Sequence, residues 1–285
     1  MKILVLGATG MLGSMVMHIL SESQNFEVYG TVRDARLNLD FRGIESKRLL
    51  ICNNVLIMDE LKKLFLKINP DVVINCIGLV KQLESVNDPL NAIPLNSLLP
   101  HQLARLTKEY GSRLIHISTD CVFSGSKGDY LESDLADARD LYGLSKFLGE
   151  VSLPHAITLR TSIIGHEIRT SHSLIDWFMA QDVRCLGYTR AIYSGLPTVT
   201  LASIIKDYVL PNPALNGLYH VSSDPISKYD LLKLVSKIYD KKIEIIPDDK
   251  LVIDRSLNSE LFQGVTGYCP TSWEAMIHQM HNYRC

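Results

Sequence analysis

Three glycines near the start of the chain constrain its fold more than any other feature. Gly7, Gly10 and Gly13 follow an apolar segment, Lys2–Leu6, and open a helical pattern over residues 11–23. Glycine lets the backbone turn sharply there, and the first turn of a helix offers unpaired N–H groups and a favourable dipole to an anion. Strand, turn and helix together predict a binding site for the diphosphate of a dinucleotide.

The same alternation of short β-branched segments and amphipathic helical patterns continues through the first two-thirds of the chain. It is typical of an α/β fold with a parallel sheet and crossover helices. We expect a Rossmann-type doubly wound sheet over residues 1–165, to which residues 190–222 return. Residues 166–285 should mainly form a smaller, closely packed C-terminal lobe for the substrate, with the ligand in the cleft between the two.

The elements are predicted from hydrophobic periodicity and from breakers such as Asn69-Pro70. The predicted strands are residues 2–6, 27–32, 71–76, 113–118, 156–161, 217–221 and 244–246. The predicted helices are residues 11–23, 58–68, 94–110, 141–151, 173–180, 200–209, 229–239 and 272–283.

The composition excludes several classes of protein. A net charge of −2 over 285 residues leaves no basic excess for nucleic acid. The 6 cysteines are scattered without a C-x-x-C pair, which favours reduced thiols over disulfides or a metal site. No apolar run approaches the roughly 18 residues of a membrane span, and we find no signal peptide, so a cytoplasmic location is expected. A homodimer is compatible with the sequence.

The end of the second strand bears on the choice of dinucleotide. Arg33 comes first after the strand and Asp34 follows it. An arginine there accommodates the 2′-phosphate of NADPH, whereas an acidic residue holds the ribose hydroxyl of NADH. The order favours NADPH through Arg33, with NADH through Asp34 as the alternative.

A tyrosine and a lysine one helical turn apart suggest proton transfer. Tyr142 and Lys146 share a helix face downstream of a strand that ends in Ser118-Thr119. A phenol with a pKa of about 10 transfers protons poorly at neutral pH unless a nearby cation favours its phenolate. Such pairs also occur as solvated groups on helix surfaces. Here the hydroxyls at the strand end can hydrogen-bond the same substrate oxygen, which favours a catalytic pair.

Several motifs in order resemble one known family. GATGMLG at the turn, STDxVF at residues 118–123 and the Tyr142/Lys146 pair are similar to those of extended short-chain dehydrogenases/reductases. The segments LRTSIIG, SGLPTV, GLYHVSS and DRSLNSELF extend the resemblance over nearly the whole chain, toward dTDP-4-dehydrorhamnose reductases and related sugar-nucleotide 4-keto reductases. The resemblance implies NADPH-dependent reduction of the 4-keto group of a nucleotide-linked 4-keto-6-deoxyhexose, in deoxysugar synthesis for a surface polysaccharide.

The resemblance also assigns roles to matching residues. It implies that Thr119 binds the keto oxygen, that Tyr142 donates the proton, and that Lys146 binds the nicotinamide ribose and poises Tyr142. The implied cofactor residues are Gly7, Thr9, Gly10, Met11, Leu12, Gly13, Arg33, Cys76, Ile77, Gly78, Tyr142 and Lys146. The candidates for substrate binding are Lys81, Val122, Arg190 and Arg255. The segment LVKQLES at residues 79–85 departs from the rhamnose reductases and leaves the sugar open.

Cys121 separates three related activities. Sugar-nucleotide dehydratases carry a glutamate at this place, so a cysteine disfavours dehydration. GDP-fucose synthase, an epimerase–reductase, has a similar cysteine and pairs it with a histidine, for which His172 is the candidate here. We prefer the structural interpretation, in which Cys121 packs as a small buried residue and has no chemical role.

A non-catalytic function is the alternative from another class. The β subunit of methionine adenosyltransferase resembles these reductases and binds NADP as a regulatory subunit. The complete set of Thr119, Tyr142 and Lys146 favours an enzyme, because a binding module has no need for it.

Overall fold

The computed structural model describes residues 1–33, 48–81, 84–168 and 173–283. A seven-stranded sheet runs through the molecule in the order β11-β6-β5-β4-β1-β2-β3, and every neighbouring pair is parallel. Its strands are β1 (Lys2–Leu6), β2 (Glu27–Val32), β3 (Leu49–Ile51), β4 (Val72–Asn75), β5 (Arg113–Thr119), β6 (Ala156–Thr161) and β11 (Gly217–His220). The predicted α/β fold with a doubly wound parallel sheet is confirmed.

Helices cover both faces of this sheet and alternate with short strands in the C-terminal part of the chain. They are α1 (Met11–Ser21), α2 (Met58–Ile68), α3 (Pro89–Ala92), α4 (Leu99–Glu109), α5 (Leu141–Leu148), α6 (Leu174–Met179), α7 (Thr198–Ile204), α8 (Lys228–Ile238), α9 (Glu260–Thr266) and α10 (Trp273–Asn282). The predicted helix at residues 94–110 begins as a π-helical segment, Ile93–Leu98, that leads into α4.

The alternation of β1 explains why helices lie on both faces of the sheet. Ile3 and Val5 belong to one hydrophobic core together with residues of α1 and α7. Leu4 and Leu6, which point to the other face, belong to a second core together with residues of α2 and α4. Burial of such side chains contributes about 1.5–3 kcal/mol each, so both faces need a helical layer.

The C-terminal part adds short strands beside the main sheet. β8 (Arg184–Tyr188) pairs with β13 (Glu244–Asp248), and β9 (Ala191–Tyr193) pairs with β12 (Ile226–Ser227) and β14 (Ile253–Asp254). β7 (Ile163–Ile164) pairs with β10 (Leu196–Pro197). The division of the chain into domains at residue 165 stays a prediction.

Short elements account for most of the differences from the sequence-based prediction. β3, β8 and β9 were not predicted, because a segment of three to five residues is too short to show a clear hydrophobic period in the sequence. The predicted helix at 141–151 ends at Leu148, and Gly149 caps it. Among the described residues, no helix combines the length and apolar character needed to cross a membrane.

Gly13 fixes the approach of α1 to the turn after β1, and its replacement by alanine tests that contact. A Cβ at residue 13 would lie 2.0 Å from the carbonyl oxygen of Gly7, a backbone atom that cannot rotate away. We expect Gly13→Ala to lower the free energy of unfolding by about 1–3 kcal/mol, measured by urea denaturation.

Gly264→Ala provides the matched control. Gly264 lies in α9, and a Cβ there would meet no atom of the described residues within 4 Å. Alanine is the better helix former, so this variant should gain about 0.5–1 kcal/mol. Equal stability of the two variants would contradict the steric role of Gly13.

Candidate active site

A cleft of about 470 Å³ opens at the carboxyl ends of the central strands. It brings together most residues that the sequence predicts for cofactor binding or catalysis. Those that line it are Gly10, Met11, Leu12, Cys76, Ile77, Gly78, Lys81, Thr119, Cys121, Tyr142, Lys146 and Arg255. Thr9 is half-buried in the glycine turn and lies outside this lining, as do Val122 and Arg190.

The glycine turn forms one end of the cleft and is held by β2. The N–H of Gly7 donates to Thr31 Oγ1 at 3.0 Å, and that of Gly10 donates to the carbonyl of Gly7 at 3.0 Å. Gly7 has a φ of 82°, a backbone conformation that a residue with a side chain adopts only with strain. Gly10 is the N-cap of α1 and carries no side chain to occupy the first N–H groups. This cradle fits a diphosphate.

Arg33 is exposed directly after β2, where the sequence analysis places it. Asp34, the alternative partner of the cofactor ribose, lies outside the described residues. The preference for a 2′-phosphate at Arg33 therefore stays a prediction.

Thr119 ends β5 and caps the short 3₁₀ turn that follows. Its hydroxyl donates to Asp120 Oδ1 at 3.1 Å and accepts from the N–H of Cys121 at 3.2 Å. Thr119 is 8% exposed, and it faces the same cleft as Tyr142. The pairing of Thr119 with Thr161 in register fixes this strand end against β6.

A close backbone contact sets the position of Tyr142 relative to Thr119. Asp140 caps α5 by accepting from the N–H of Gly143 at 2.9 Å. A Cβ at residue 143 would lie only 2.3 Å from the carbonyl oxygen of Cys121, so glycine lets the helix touch the 3₁₀ turn. The chain thereby places the phenol on the side of the cleft that Thr119 also lines.

Burial is the main influence on the Tyr142 phenol. It raises the pKa of Tyr142 well above the usual value, as does the neighbouring Cys121, while a hydrogen bond with Thr119 acts in the opposite direction. The direction is the reverse of the phenolate stabilisation that the sequence analysis expects from a nearby cation. A phenol that stays protonated at neutral pH is suited to donate a proton.

Lys146 lies one turn further along α5 and is 6% exposed. Its ammonium donates to the carbonyl of Ile117 at 2.7 Å. Burial lowers the pKa of Lys146 to about 8, and Glu150 and Cys76 act against that shift. A Cβ at Gly78 would lie 3.7 Å from Nζ, so the absence of a side chain there leaves room beside the ammonium.

A buried ion pair that the sequence does not predict supports the end of α5. Glu150 accepts from Arg160 Nε at 2.7 Å and from Arg160 Nη2 at 2.6 Å, and it also accepts from Ser118 Oγ at 2.7 Å. Arg160 further contacts His220 Nε2 at 3.1 Å and stacks on the Phe123 ring at 5.0 Å. Arg160 could have been identified from its position inside a strand of otherwise uncharged residues. That strand is fully buried, and a buried charge requires a partner.

Cys121 lines the cleft beside Arg255, whose Nη1 lies 3.8 Å from the thiol sulfur. Burial raises the pKa of Cys121 to about 12, with a further contribution from Asp120 and an opposing one from Arg255. The group is therefore a neutral thiol at neutral pH. His172, its proposed partner in epimerisation, lies outside the described residues, and that pairing stays a prediction.

Only two of the four predicted substrate residues lie at the cleft. Lys81 forms a salt bridge with Asp140 at 2.9 Å at the rim of the cleft, and Arg255 lines it. Val122 is fully buried against Phe123 in a small separate core, and Arg190 is exposed. Of the four, Lys81 and Arg255 have the placement that a substrate contact needs.

The sequence does not predict several other residues of the cleft, among them Tyr193 and Lys228. Tyr193 reaches it from the end of β9 and Lys228 from the start of α8. Both lie far along the chain from Thr119, so no spacing in the sequence connects them with it. Among the residues that the structure describes, no group of three His, Cys, Asp or Glu side chains is arranged to hold a metal ion.

Comparison with known proteins shows what the chain is similar to. The family model described as "RmlD substrate binding domain" matches residues 1–281. The chain is 26% identical to the dTDP-4-dehydrorhamnose reductase of Aggregatibacter actinomycetemcomitans, and the alignment covers 99% of both chains. It is also 26% identical to the β subunit of methionine adenosyltransferase 2 of Danio rerio, over 81% of this chain and 71% of that protein.

A solved structure gives the same picture of the fold. The dTDP-4-dehydrorhamnose reductase of Bacillus anthracis, solved in complex with NADP, superposes with a TM-score of 0.80. The two chains are 20% identical, and the match covers 99% of this chain and 98% of the other. The resemblance predicted from the motifs is confirmed.

Removal of the Glu150 carboxylate tests the support of α5. Glu150→Ala leaves the guanidinium of Arg160, which is 3% exposed, without its charged partner. We expect the free energy of unfolding to fall by about 3–5 kcal/mol, measured by urea denaturation.

Glu274→Ala is the control for the loss of a carboxylate. Glu274 pairs with Lys237 at the surface, where the two side chains are 54% and 72% exposed. Such a pair contributes about 0–1 kcal/mol. A loss at Glu150 no larger than that at Glu274 would show that the buried pair does not support the helix.

Proposed function

Because the chain belongs to the family of the RmlD substrate binding domain, we propose that it is an NADPH-dependent sugar-nucleotide reductase. Its substrate is a nucleotide-linked 4-keto-6-deoxyhexose, whose 4-keto group it reduces. The proposal draws on the relative from Aggregatibacter actinomycetemcomitans, a dTDP-4-dehydrorhamnose reductase similar over its full length. One observation carries it: Thr119, Tyr142 and Lys146 line a single cleft that also reaches the glycine turn.

The residues of the glycine turn and of the β4 end would hold the cofactor. Gly10 lines the cleft without a side chain, Gly7 and Gly13 allow the tight turn and the close approach of α1 behind it, and Gly78 leaves space beside Lys146. Bound NADPH supplies a hydride to carbon 4 of the sugar. The Lys146 ammonium would hold the nicotinamide ribose at this point of the cleft.

Proton transfer follows from the state of Tyr142. The phenol is protonated at neutral pH, and it donates its proton to the oxygen that gains charge as the carbonyl is reduced. Thr119 donates a hydrogen bond to the same oxygen in place of its contact with Asp120. Stabilisation of the developing alkoxide is the largest contribution that such a site makes.

The other expectations about this function stay predictions. They are the preference for NADPH over NADH, the cytoplasmic location, the homodimer and the additional epimerase activity with Cys121. Regulatory binding of NADP without turnover, the alternative from another class, predicts no hydride transfer at all.

Loss of the Tyr142 hydroxyl tests the proposed reaction. Purified protein, NADPH and dTDP-, UDP- or GDP-linked 4-keto-6-deoxyhexoses are mixed, and the oxidation of NADPH is followed by absorbance. We expect turnover with at least one of these substrates and a fall in kcat of about 10²- to 10⁴-fold in Tyr142→Phe, because the general acid is lost.

Tyr188→Phe, on β8 outside the cleft lining, is the control and should leave kcat unchanged. Tight NADP binding without oxidation of NADPH by any of the ketosugars would refute the reductase and favour a regulatory subunit.

The dependence of the rate on pH follows from Lys146. Its ammonium form exists below its pKa of about 8, so the rate should fall as the pH rises above 8. Glu150 favours the ammonium, and Glu150→Gln should therefore lower the pKa of Lys146 and move this alkaline limb to lower pH. Profiles of kcat against pH for the wild type, Glu150→Gln and the surface control Glu274→Gln measure the shift. An alkaline limb at the same pH in all three would contradict the role of Lys146.

A further inference from the structure

A histidine of β5 is fully buried and has one nitrogen without a partner. Nδ1 of His116 lies 3.1 Å from Nδ2 of Asn75, the last residue of β4 and its partner in the register of the sheet. Among the residues that the structure describes, Nε2 of His116 has no hydrogen-bond partner. An apolar side chain would fill this place without the cost of an unsatisfied polar atom. The use of this histidine is therefore to be found at its other nitrogen, Nδ1.

The hydrogen bonds of Asn75 determine which nitrogen of the imidazole carries the proton. Asn75 Oδ1 accepts from the N–H of Ile77 at 3.1 Å, so the amide nitrogen Nδ2 faces His116. That nitrogen only donates, and Nδ1 of the imidazole therefore accepts. Burial and the nearby Lys146 ammonium lower the pKa of His116 well below its ordinary value. The imidazole is thus neutral, with its proton on Nε2 and the Nδ1 lone pair available to Asn75.

The N–H that Asn75 holds belongs to a segment that lines the cleft. Cys76, Ile77 and Gly78 follow the end of β4 and face the cleft. The chain has left the sheet at Ile77, whose N–H is satisfied by a side chain instead of a neighbouring strand. A Cβ at Gly7 would lie 3.0 Å from Ile77 Cγ1, so Ile77 packs directly against the glycine turn. A shift of Ile77 would therefore disturb two walls of the cleft together.

We propose that His116 is a positioning residue for the cofactor. By accepting from Asn75 it fixes the amide that holds Ile77, and it thereby sets the segment of residues 76–78 against the glycine turn for NADPH to bind. The inference rests on the proposed function, because it takes the cleft to be the NADPH site. It adds a fully buried residue that lies outside the cleft lining and acts through Asn75.

Two substitutions of His116 separate its acceptor from its volume. His116→Phe keeps a ring and loses the acceptor, whereas His116→Asn loses the ring and offers Oδ1, which is bonded to Cγ as Nδ1 is. The affinity of the full chain for NADPH is measured by fluorescence titration. It should fall about 5- to 30-fold in His116→Phe and stay within about 3-fold of the wild type in His116→Asn. Stability in urea should follow the opposite order, because His116→Asn leaves a cavity.

Hydrogen exchange of the Ile77 amide reports on the contact itself. It is measured by NMR in the full chain without cofactor. In His116→Phe the Asn75 amide loses the acceptor that orients it, and the Ile77 N–H should exchange at least about 10-fold faster than in the wild type. In His116→Asn the exchange rate should stay close to that of the wild type.

Ser112→Ala is the matched control. The Ser112 hydroxyl donates to the carbonyl of Pro70 at 2.7 Å, so it joins the same two chain segments at the opposite end of β4 and β5. Its loss should lower stability in urea and leave the affinity for NADPH unchanged. Affinities that follow stability across all the variants would overturn the proposal, as would wild-type affinity for NADPH in His116→Phe.

Binding and exchange are measured without turnover, so this test is separate from that of the reductase. A protein that shows the expected order of NADPH affinities but reduces no ketosugar would retain the role of His116 and lose the proposed reaction. A protein that reduces a ketosugar and binds NADPH equally well with His116→Phe would retain the reaction and lose this role. Absence of NADPH binding by the wild type would overturn both.

Discussion

The buried ion pair between Glu150 and Arg160 is the interaction on which the geometry of the site depends. It joins the residue after the capped end of α5 to the penultimate residue of β6, and Ser118 of β5 donates to the same carboxylate. The helix that carries Tyr142 and Lys146 is thus tied to the strand that carries Thr119. Removal of either charged partner would leave the other buried and unpaired. The cost of that unpaired charge holds the helix and the two strands in this arrangement.

The same pair connects the catalytic helix to the C-terminal part of the chain. Arg160 also contacts His220, and the imidazole Nδ1 of His220 lies 2.9 Å from the carbonyl of Tyr130. Burial lowers the pKa of His220 to about 4, so this imidazole is neutral at physiological pH and does not compete for Glu150. Segments far apart in the chain therefore meet around one carboxylate.

The fold and half of the site could be predicted from the sequence because their signals are local. The glycine turn, the Tyr142/Lys146 spacing and the buried strands each occupy a few consecutive residues. Lys228, Tyr193 and the Glu150–Arg160 pair could not be found in this way. Their places in the structure arise from contacts between elements that are distant in sequence, and a lysine at a helix start is by itself an ordinary solvated charge. The short strands β3, β8 and β9 were missed for a related reason, since pairing partners rather than periodicity define them.

The contact of Gly143 with the carbonyl of Cys121 allows two features to vary independently. They are the position of α5 and the lining of the cavity beside the cleft. Backbone atoms at this contact set how closely α5, which carries Tyr142, approaches the turn after Thr119. The loop of residues 122–140 connects the turn that holds Cys121 to the start of α5. It forms a wall of a second cavity of about 660 Å³, which Arg255 also lines. Its side chains can therefore change, and with them the lining of that cavity, while the backbone contact of α5 with the 3₁₀ turn is kept.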